Sequence, residues 1–257
     1  MQSALTIAGS DSSGGAGIQA DLRTFQAHGV FGTSAITAVT AQNTLGVHAV
    51  VALSPDMVLA QIAAVAEDFS IAATKIGMLA NADIIRVVAA AIGRYHLGPV
   101  VLDPVMVAKG GDSLLQTDAI TALRDVLLPR ASIVTPNIPE AEVLTGLHIQ
   151  TVSHMRDAAA ILLATGVQAV VIKGGHLEGP ATDVFVTAHG VEEFVATRIA
   201  TRHTHGTGCT FASAIAARLA LGDDMKSAVR SAKQYVLRAI ERAPGLGHGH
   251  GPLGLGC

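Results

Sequence analysis

A chain of 257 residues is long enough for one large α/β domain with a substantial core. Half the residues are hydrophobic but only 3% are aromatic, so Ala, Val, Ile and Leu must build the interior, which suits helices layered on a parallel sheet. A net charge of −3 with 14% charged residues leaves no basic footprint for nucleic acid. Two cysteines, Cys209 and Cys257, make no disulfide framework and fit a reducing compartment, the cytoplasm. Met1 to Ala8 has no basic n-region of a secretory signal, and the longest uncharged span, Thr24 to Pro55, is too polar for a membrane helix.

Ala4 to Ala8 reads as a short buried strand, followed by the turn Gly9-Ser10-Asp11-Ser12-Ser13-Gly14-Gly15-Ala16-Gly17 and an amphipathic helix from Ile18 to Ala27. Gly15-x-Gly17-x-x-Ala20 nominally matches a dinucleotide fingerprint. That motif needs its glycines tight against the strand and an acidic residue about twenty positions on, and neither condition is met here. Thr33 to Ala41 and Val47 to Leu53 read as two strands joined around Gln42 to Gly46. The Gln42 amide, donor and acceptor at once, suits a heteroaromatic ring with an amino group beside a ring nitrogen; a turn amide bonded to local backbone is the plainer reading.

Ser54-Pro55 has N-cap and N1 chemistry for a helix to about Phe69. A strand at Thr74 to Ile76 leaves through Gly77-Met78, and an apolar helix spans Asn81 to Gly93. Val100 to Leu102 is a buried strand delivering Asp103-Pro104 at its carboxyl end, where open α/β sheets bind ligands. Asp103 is thus a candidate for Mg²⁺ or polar ligand contact, with a helix N-cap as the alternative. Val107 to Leu115, including Lys109, reads as a mobile surface loop or lid, followed by a helix over Thr117 to Leu128.

After a strand at Ile133 to Thr135, Pro136-Asn137-Ile138-Pro139-Glu140 opens a short helix ending at Gly146. Asn137 and Glu140 can hold hydrated Mg²⁺ beside phosphates, or Glu140 can be an ordinary first-turn acid. Ser153 to Gly166 reads as helix and Ala169 to Ile172 as strand, the latter delivering Lys173-Gly174-Gly175-His176, whose lysine is a phosphate partner or simply solvated. Asp183 to Ala188 and Glu192 to Thr197 form a hairpin on the sheet edge. Thr210 to Leu221 and Met225 to Glu241 are helices, and the closing Gly245 to Pro252 run, with His248 and His250, is flexible by composition and at most a weak metal candidate.

The chain is organised around Thr204-His205-Gly206-Thr207-Gly208-Cys209-Thr210, a glycine-rich loop that opens a helix. Unpaired N–H groups and the positive end of the helix dipole make such a start an anion site. The same position is expected to lower the pKa of Cys209 so that it accepts a proton; a buried structural cysteine is the alternative. Polar residues at six strand ends, Asp11, Gln42, Asp103, Asn137 with Glu140, Lys173 and Thr207 to Cys209, can together supply what phosphoryl transfer needs: anchored phosphates, a metal, an anion hole and a base. No Walker A sequence, protein-kinase signature or G-x-S-x-G is present.

Seven co-linear motifs, Ala4 to Asp21, Ala41-Gln42-Asn43-Thr44, Lys75-Ile76-Gly77-Met78, Asp103-Pro104-Val105-Met106, Thr135-Pro136-Asn137, Lys173 to His176 and Thr204 to Cys209, resemble the hydroxymethylpyrimidine/phosphomethylpyrimidine kinases of thiamine biosynthesis. The resemblance implies the ribokinase-like fold, a doubly wound, mostly parallel sheet with helices on both faces in a single domain over residues 1–257. It implies ATP–Mg²⁺ phosphorylation of 4-amino-5-hydroxymethyl-2-methylpyrimidine and of its monophosphate, and a homodimer. In its terms Gln42 and the Met78 backbone bind the pyrimidine, with Asp21 and Val105 lining that pocket. Lys173, Asn137 and Glu140 serve ATP and its metal, Gly206, Thr207 and Gly208 form the anion hole, and Cys209 is the base. A pyridoxine or pyridoxal kinase is the near alternative. A thiol hydrolase or acyltransferase, with Cys209 as nucleophile and His203 or His205 as base, is the distant one.

Overall fold

The computed structural model describes residues 1–106, 116–177 and 179–256. The expected lid at Val107 to Leu115 therefore lies outside the described residues.

The chain begins with β1 (Ser3–Ala8) and α1 (Gly17–Ala27), continues through β2 (Phe31–Ile36), β3 (Ala38–Asn43), β4 (Gly46–Ala52) and α2 (Pro55–Ala66), and then β5 (Ile71–Ile76), α3 (Ala82–Arg94) and β6 (Val100–Leu102). Next come α4 (Thr117–Ala122), β7 (Ile133–Val134), α5 (Ile138–Thr145), α6 (Val152–Leu163), β8 (Ala169–Ile172), the hairpin β9 (Ala181–Thr187) and β10 (Gly190–Ala196), and finally α7 (Thr207–Ala220) and α8 (Met225–Glu241). Among the described residues eight strands form one sheet in the order β10-β9-β8-β7-β6-β5-β1-β2. Pairing is parallel from β2 to β8, and only the β9–β10 hairpin runs antiparallel at the edge.

Side-chain alternation along β1 assigns the two layers. Leu5 and Ile7 join a core with Val58 of α2, Ile84 of α3, Ala119 of α4, Ala141 of α5 and Leu162 of α6. Ala4 faces the other way, toward Phe25 of α1, Ile215 of α7 and Val229 of α8. The sheet is thus covered on both faces, as the near-continuous apolar strands require. Capping follows the sequence: Ser54 Oγ accepts from Met57 N–H, Asn81 Oδ1 from Ile84 N–H, and Gly146 closes α5 at φ 73°. Strand order reverses at β1, whose neighbours are β2 and β5, and the crevice for a ligand opens beyond such a switch point.

Three expectations are corrected. The single strand over Thr33 to Ala41 is two strands that part at Thr37. There the N–H donates to Ala8 O (3.0 Å), the hydroxyl to Met78 O (2.6 Å), and the carbonyl accepts from Leu53 N–H (2.9 Å). β3 leaves the main sheet at this pivot and pairs with β4 as a separate antiparallel ribbon. Burial changes phase at the pivot, where Thr37 and Ala38 are buried in succession, and these two small residues carry no turn signal that would mark the break. The helix over Thr117 to Leu128 ends at Ala122 and widens into a π turn at Leu123–Leu127 before a 3₁₀ turn containing Pro129, which has no N–H to continue the ladder.

The terminal glycine run is docked rather than loose. His250 N–H donates to Thr44 O (2.9 Å), His205 N–H to Gly251 O (3.1 Å) and Gly254 N–H to Ala239 O (2.9 Å). Glycine permits this closeness, since a Cβ at Gly249 would lie 2.1 Å from Thr44 O. Among the described residues no group of three His, Cys, Asp or Glu side chains is placed to hold a metal.

Candidate active site

The carboxyl ends of the strands open into a cleft of about 710 Å³ that reaches from Gln42 and Met78, past the Gly206–Cys209 turn, to Asn137, Glu140 and Lys173. Gln42 and Lys173, contributed by a ribbon and by a strand exit far apart in sequence, line the same cavity.

The centre is the start of α7. Gly206 is its N-cap at φ 81°, and a Cβ there would lie 1.8 Å from Gly15 O, so no other residue fits. No side chain caps the helix, and its first bond runs from Thr210 N–H to Gly206 O (2.8 Å), leaving the N–H groups of Gly208 and Cys209 ahead of the ladder. A Cβ on Gly208 would come 3.3 Å from both Asp103 Oδ2 and Lys173 Nζ, so bare backbone faces that pair. The Thr207 hydroxyl donates to Thr204 O (2.7 Å) and braces the turn.

At the far end Lys173 Nζ lies 2.9 Å from Asp103 Oδ1, with side chains 16% and 3% exposed. Burial opposes the charge on Lys173, but Asp103 and Glu140 outweigh it and hold its pKa above the usual value. Asn137 and Glu140 form a reciprocal capping box, Glu140 N–H to Asn137 Oδ1 (2.9 Å) and Asn137 N–H to Glu140 Oε2 (2.8 Å). The ordinary first-turn role of Glu140 and its place in the cleft therefore coexist. Burial, with the like charge of Asp103 added, pushes the Glu140 carboxyl up to about 7 against the pull of Lys173.

Near Gln42 the Met78 carbonyl already accepts from Gly9 N–H (3.1 Å) and from the Thr37 hydroxyl (2.6 Å), so the Met78 N–H is the peptide group left for a ring. Met78 and Val105 line the cleft as expected. Asp21 does not. It is fully buried on the inner face of α1, where its carboxylate accepts two bonds from Lys75 Nζ (2.8 and 2.9 Å) and one each from the hydroxyls of Thr6 and Ser213 (2.6 Å each). It lies three residues after Ile18, on the stripe α1 turns toward the sheet, and its oxygens are spent before any ligand arrives.

Cys209 also departs from expectation. Burial pushes its thiol up to about 11; Lys75 and a bond from Gly17 N–H favour the thiolate, but the carboxylates of Asp21 and Asp103 oppose it. The helix terminus does not overcome burial among carboxylates, so Cys209 rests as a thiol. The hydrolase geometry is not formed either. His205 Nε2 is committed to Asp11 Oδ2 at 2.8 Å, and His203 Nδ1 is packed where a Gly251 Cβ would come within 2.3 Å.

The roles of three residues that the sequence had placed in motifs escaped sequence reasoning. Lys75 lies within the Ile71–Ile76 strand, is wholly buried yet borders the cleft, and stays protonated because Asp21 outweighs the desolvation that would neutralise it. A lysine inside an otherwise apolar strand was the available signal. Asp11 and His205 meet at 2.8 Å across 194 residues of sequence, and nothing local announces such a pair.

The phosphomethylpyrimidine kinase family profile matches residues 11–254. The hydroxymethylpyrimidine/phosphomethylpyrimidine kinase of Bacillus subtilis (strain 168) is 51% identical over 97% of this chain and 93% of its own. Among solved structures, the ADP complex of Bacillus subtilis pyridoxal kinase superposes with a TM-score of 0.92 at 40% identity, covering 99% of this chain and 97% of its own. The Staphylococcus aureus pyridoxal kinase bound to AMP-PCP and pyridoxal superposes with a TM-score of 0.92 at 35% identity over 99% of this chain and 94% of its own. Profile, relatives and a cleft that unites an amide, a glycine turn and a lysine agree: the chain belongs to the phosphomethylpyrimidine kinase family.

Proposed function

We propose that the chain, acting as a single ribokinase-like domain, transfers the γ-phosphoryl group of ATP to the hydroxymethyl group of 4-amino-5-hydroxymethyl-2-methylpyrimidine and then to its monophosphate. The observation that carries this reading is the continuous cleft with a ring-reading amide at one end, a lysine and two carboxylates at the other, and uncapped helix N–H groups between them. ATP phosphates lie toward Lys173 and Asn137, and Lys173 exchanges its contact with Asp103 for phosphate oxygens. The backbone N–H groups of Gly208 and Cys209 receive charge that builds on the migrating phosphoryl group, as an anion hole requires.

Cys209 stands beside the acceptor hydroxyl as a thiol. In a loose phosphoryl-transfer transition state the acceptor keeps its proton late, so a group protonated at rest limits the first step little and orients the hydroxyl. The monophosphate in the second step is already ionised and needs only placement and neutralisation, to which buried Lys75 contributes.

The donor set fits Mg²⁺ that arrives with the nucleotide. Asp103 and Glu140 are two hard-oxygen ligands close enough that the charge of Asp103 raises the proton affinity of Glu140, and among the described residues no three-ligand group offers a site independent of phosphates. Bound there, Mg²⁺ would neutralise phosphate oxygens. Cytoplasmic location and a homodimer belong to the same proposal; among the described residues no helix is long and apolar enough to cross a membrane.

ADP release with purified protein, comparing the pyrimidine alcohol, its monophosphate and pyridoxal, tests the reading. Turnover of both pyrimidines is expected, and silence on both would reject it. Pyridoxal is the second acceptor to try because two superposing structures at TM-score 0.92 are pyridoxal kinases.

A further inference from the structure

Gln42 is held at both its backbone and its side chain. Ser12 Oγ donates to Gln42 O (2.7 Å) and accepts from Gln42 N–H (2.8 Å), which pins the backbone. The side-chain amide lies between two neighbours, with Oε1 3.4 Å from Thr40 Oγ1 and Nε2 3.4 Å from His205 Nε2.

Each neighbour has its proton committed elsewhere. The Thr40 hydroxyl donates to Ser10 O at 2.8 Å, so toward Gln42 its oxygen can only accept. Asp11 accepts from Ser13 N–H, Ser13 Oγ, Gly15 N–H and Ala16 N–H at 2.8 to 3.1 Å. Burial would raise the Asp11 carboxyl, but the bonds from His205 and Ser13 outweigh it and hold the pKa below the usual value, so Asp11 is an acceptor only. His205 Nε2, 2.8 Å away, must therefore carry the proton. The ring cannot turn away, because a Cβ on Gly15 would already lie 2.5 Å from His205 Cδ2, and the His205 N–H is tied to Gly251 O at 3.1 Å by the docked tail.

Counted by protons, the two contacts of Gln42 pair donor with donor and acceptor with acceptor until the amide turns by 180°. Nε2 then donates to Thr40, and Oε1 faces the His205 N–H as a second, longer acceptor beside Asp11, so neither contact sets like against like. Two independent neighbours demand the same orientation.

We infer that His205, held by Asp11, and Thr40, held by Ser10, are positioning residues that lock the Gln42 amide in one orientation and thereby set which heteroaromatic alcohols the cleft accepts. This rests on the function proposed above and names its selectivity device. With the amide locked, a ring that carries an amino donor adjacent to a ring nitrogen makes both bonds in a single register. A hydroxypyridine, whose hydroxyl and ring nitrogen are not adjacent, uses one bond at a time. The preference costs the enzyme no extra ordering at binding, since the amide is already oriented.

The test is a double-mutant cycle of Thr40→Val with Gln42→Met, together with His205→Ala and His205→Gln, reading KM for the pyrimidine alcohol, KM for ATP and the ratio of kcat/KM on the pyrimidine alcohol to that on pyridoxal. Thr40→Val and His205→Ala are each expected to raise the pyrimidine KM about threefold to tenfold and to cut the ratio by a similar factor, the scale of one lost part-buried hydrogen bond, with ATP KM within about twofold. His205→Gln restores an Nε–H donor and recovers most of the ratio, and Thr40→Val loses its effect in the Gln42→Met background. An unchanged ratio, parallel losses toward ATP, or a Thr40→Val effect that persists without Gln42 overturns the inference. Should His205→Ala fail to fold, the Thr40→Val cycle decides alone. Wild-type ADP release checks the activity itself, while the cycle is read as ratios on whichever acceptor wild type turns over, so the failure of one is distinguishable from the failure of the other.

Discussion

Two lysine–aspartate pairs lie in this molecule at nearly the same distance and do different work. Lys75–Asp21, at 2.8 Å, has both side chains 0% exposed, and Asp21 receives four hydrogen bonds from Lys75, Thr6 and Ser213. Lys173–Asp103, at 2.9 Å, is 16% and 3% exposed, with one further weak contact from the Thr135 hydroxyl at 3.4 Å, and it faces bare Gly208 backbone. The sealed carboxylate, Asp21, has no valence left for a ligand. The open pair has, because a phosphate can replace Asp103 as the partner of Lys173 without leaving either group dry. Satisfaction of hydrogen-bonding capacity, rather than length or charge, separates the structural carboxylate from the one open to a ligand.

The largest effect should come from breaking the sealed pair. Asp21→Ala leaves Lys75 charged or desolvated with no partner, an expected loss of about 3 to 5 kcal/mol in denaturant unfolding, enough to threaten folding of a single domain. Lys173→Ala should do the opposite. Unfolding free energy is expected to fall by less than for Asp21→Ala, about 1 to 2 kcal/mol, because the cleft admits water to Asp103, while kcat/KM falls about 10² to 10³-fold through the phosphate contacts. If Lys173→Ala unfolds the protein or Asp21→Ala spares it, the contrast is wrong.

Glu140 sharpens the open end. In the unfolded chain it ionises near 4.5, whereas the folded protein keeps its proton up to about 7. Between those values the unfolded state binds fewer protons, so stability declines as pH rises from about 4.5 to about 7 and levels off above. The decline attributable to this group is on the order of 3 kcal/mol without divalent cation. Glu140→Gln keeps the cap acceptor and should flatten that slope, as unfolding curves at pH 5, 6, 7 and 8 will show. The smallest effect is expected at Cys209, whose thiol sits at about 11. Its alkylation by iodoacetamide, followed at its own peptide to separate it from Cys257, should be slow at pH 7.5 and rise with pH. Cys209→Ala should cost about tenfold or less in the first phosphorylation and less in the second; equal losses in both would mark it as a packing residue.

Much of this was legible from residues alone, because it depends on neighbours in sequence. Ser54, Asn81 and Asn137 cap helices by bonding to N–H groups three residues ahead, the apolar runs at Val100 and Ala169 form buried strands, and the hairpin of β9 and β10 alternates around His189-Gly190. The glycine turn before α7 is equally local. The motif positions at Gln42, Met78, Val105, Asn137, Glu140 and Lys173 do converge on one cleft, as the strand-end rule implies. Asp21 was misplaced because a surface carboxylate and a buried one look alike until the lysine that neutralises it is found 54 residues away.

What the amino-acid order determined by itself was the set of strands, helices and glycine turns, since propensity, capping and periodicity act over a few residues. What only the tertiary structure decided was the state of the groups those elements carry. The proton on Cys209, the charge of Lys75, the raised Glu140 and the Asp11–His205 contact that reaches Gln42 all arise from burial and from partners brought together across the sheet. Desolvation and Coulomb interaction depend on distance in space, and no pattern along the chain encodes that distance.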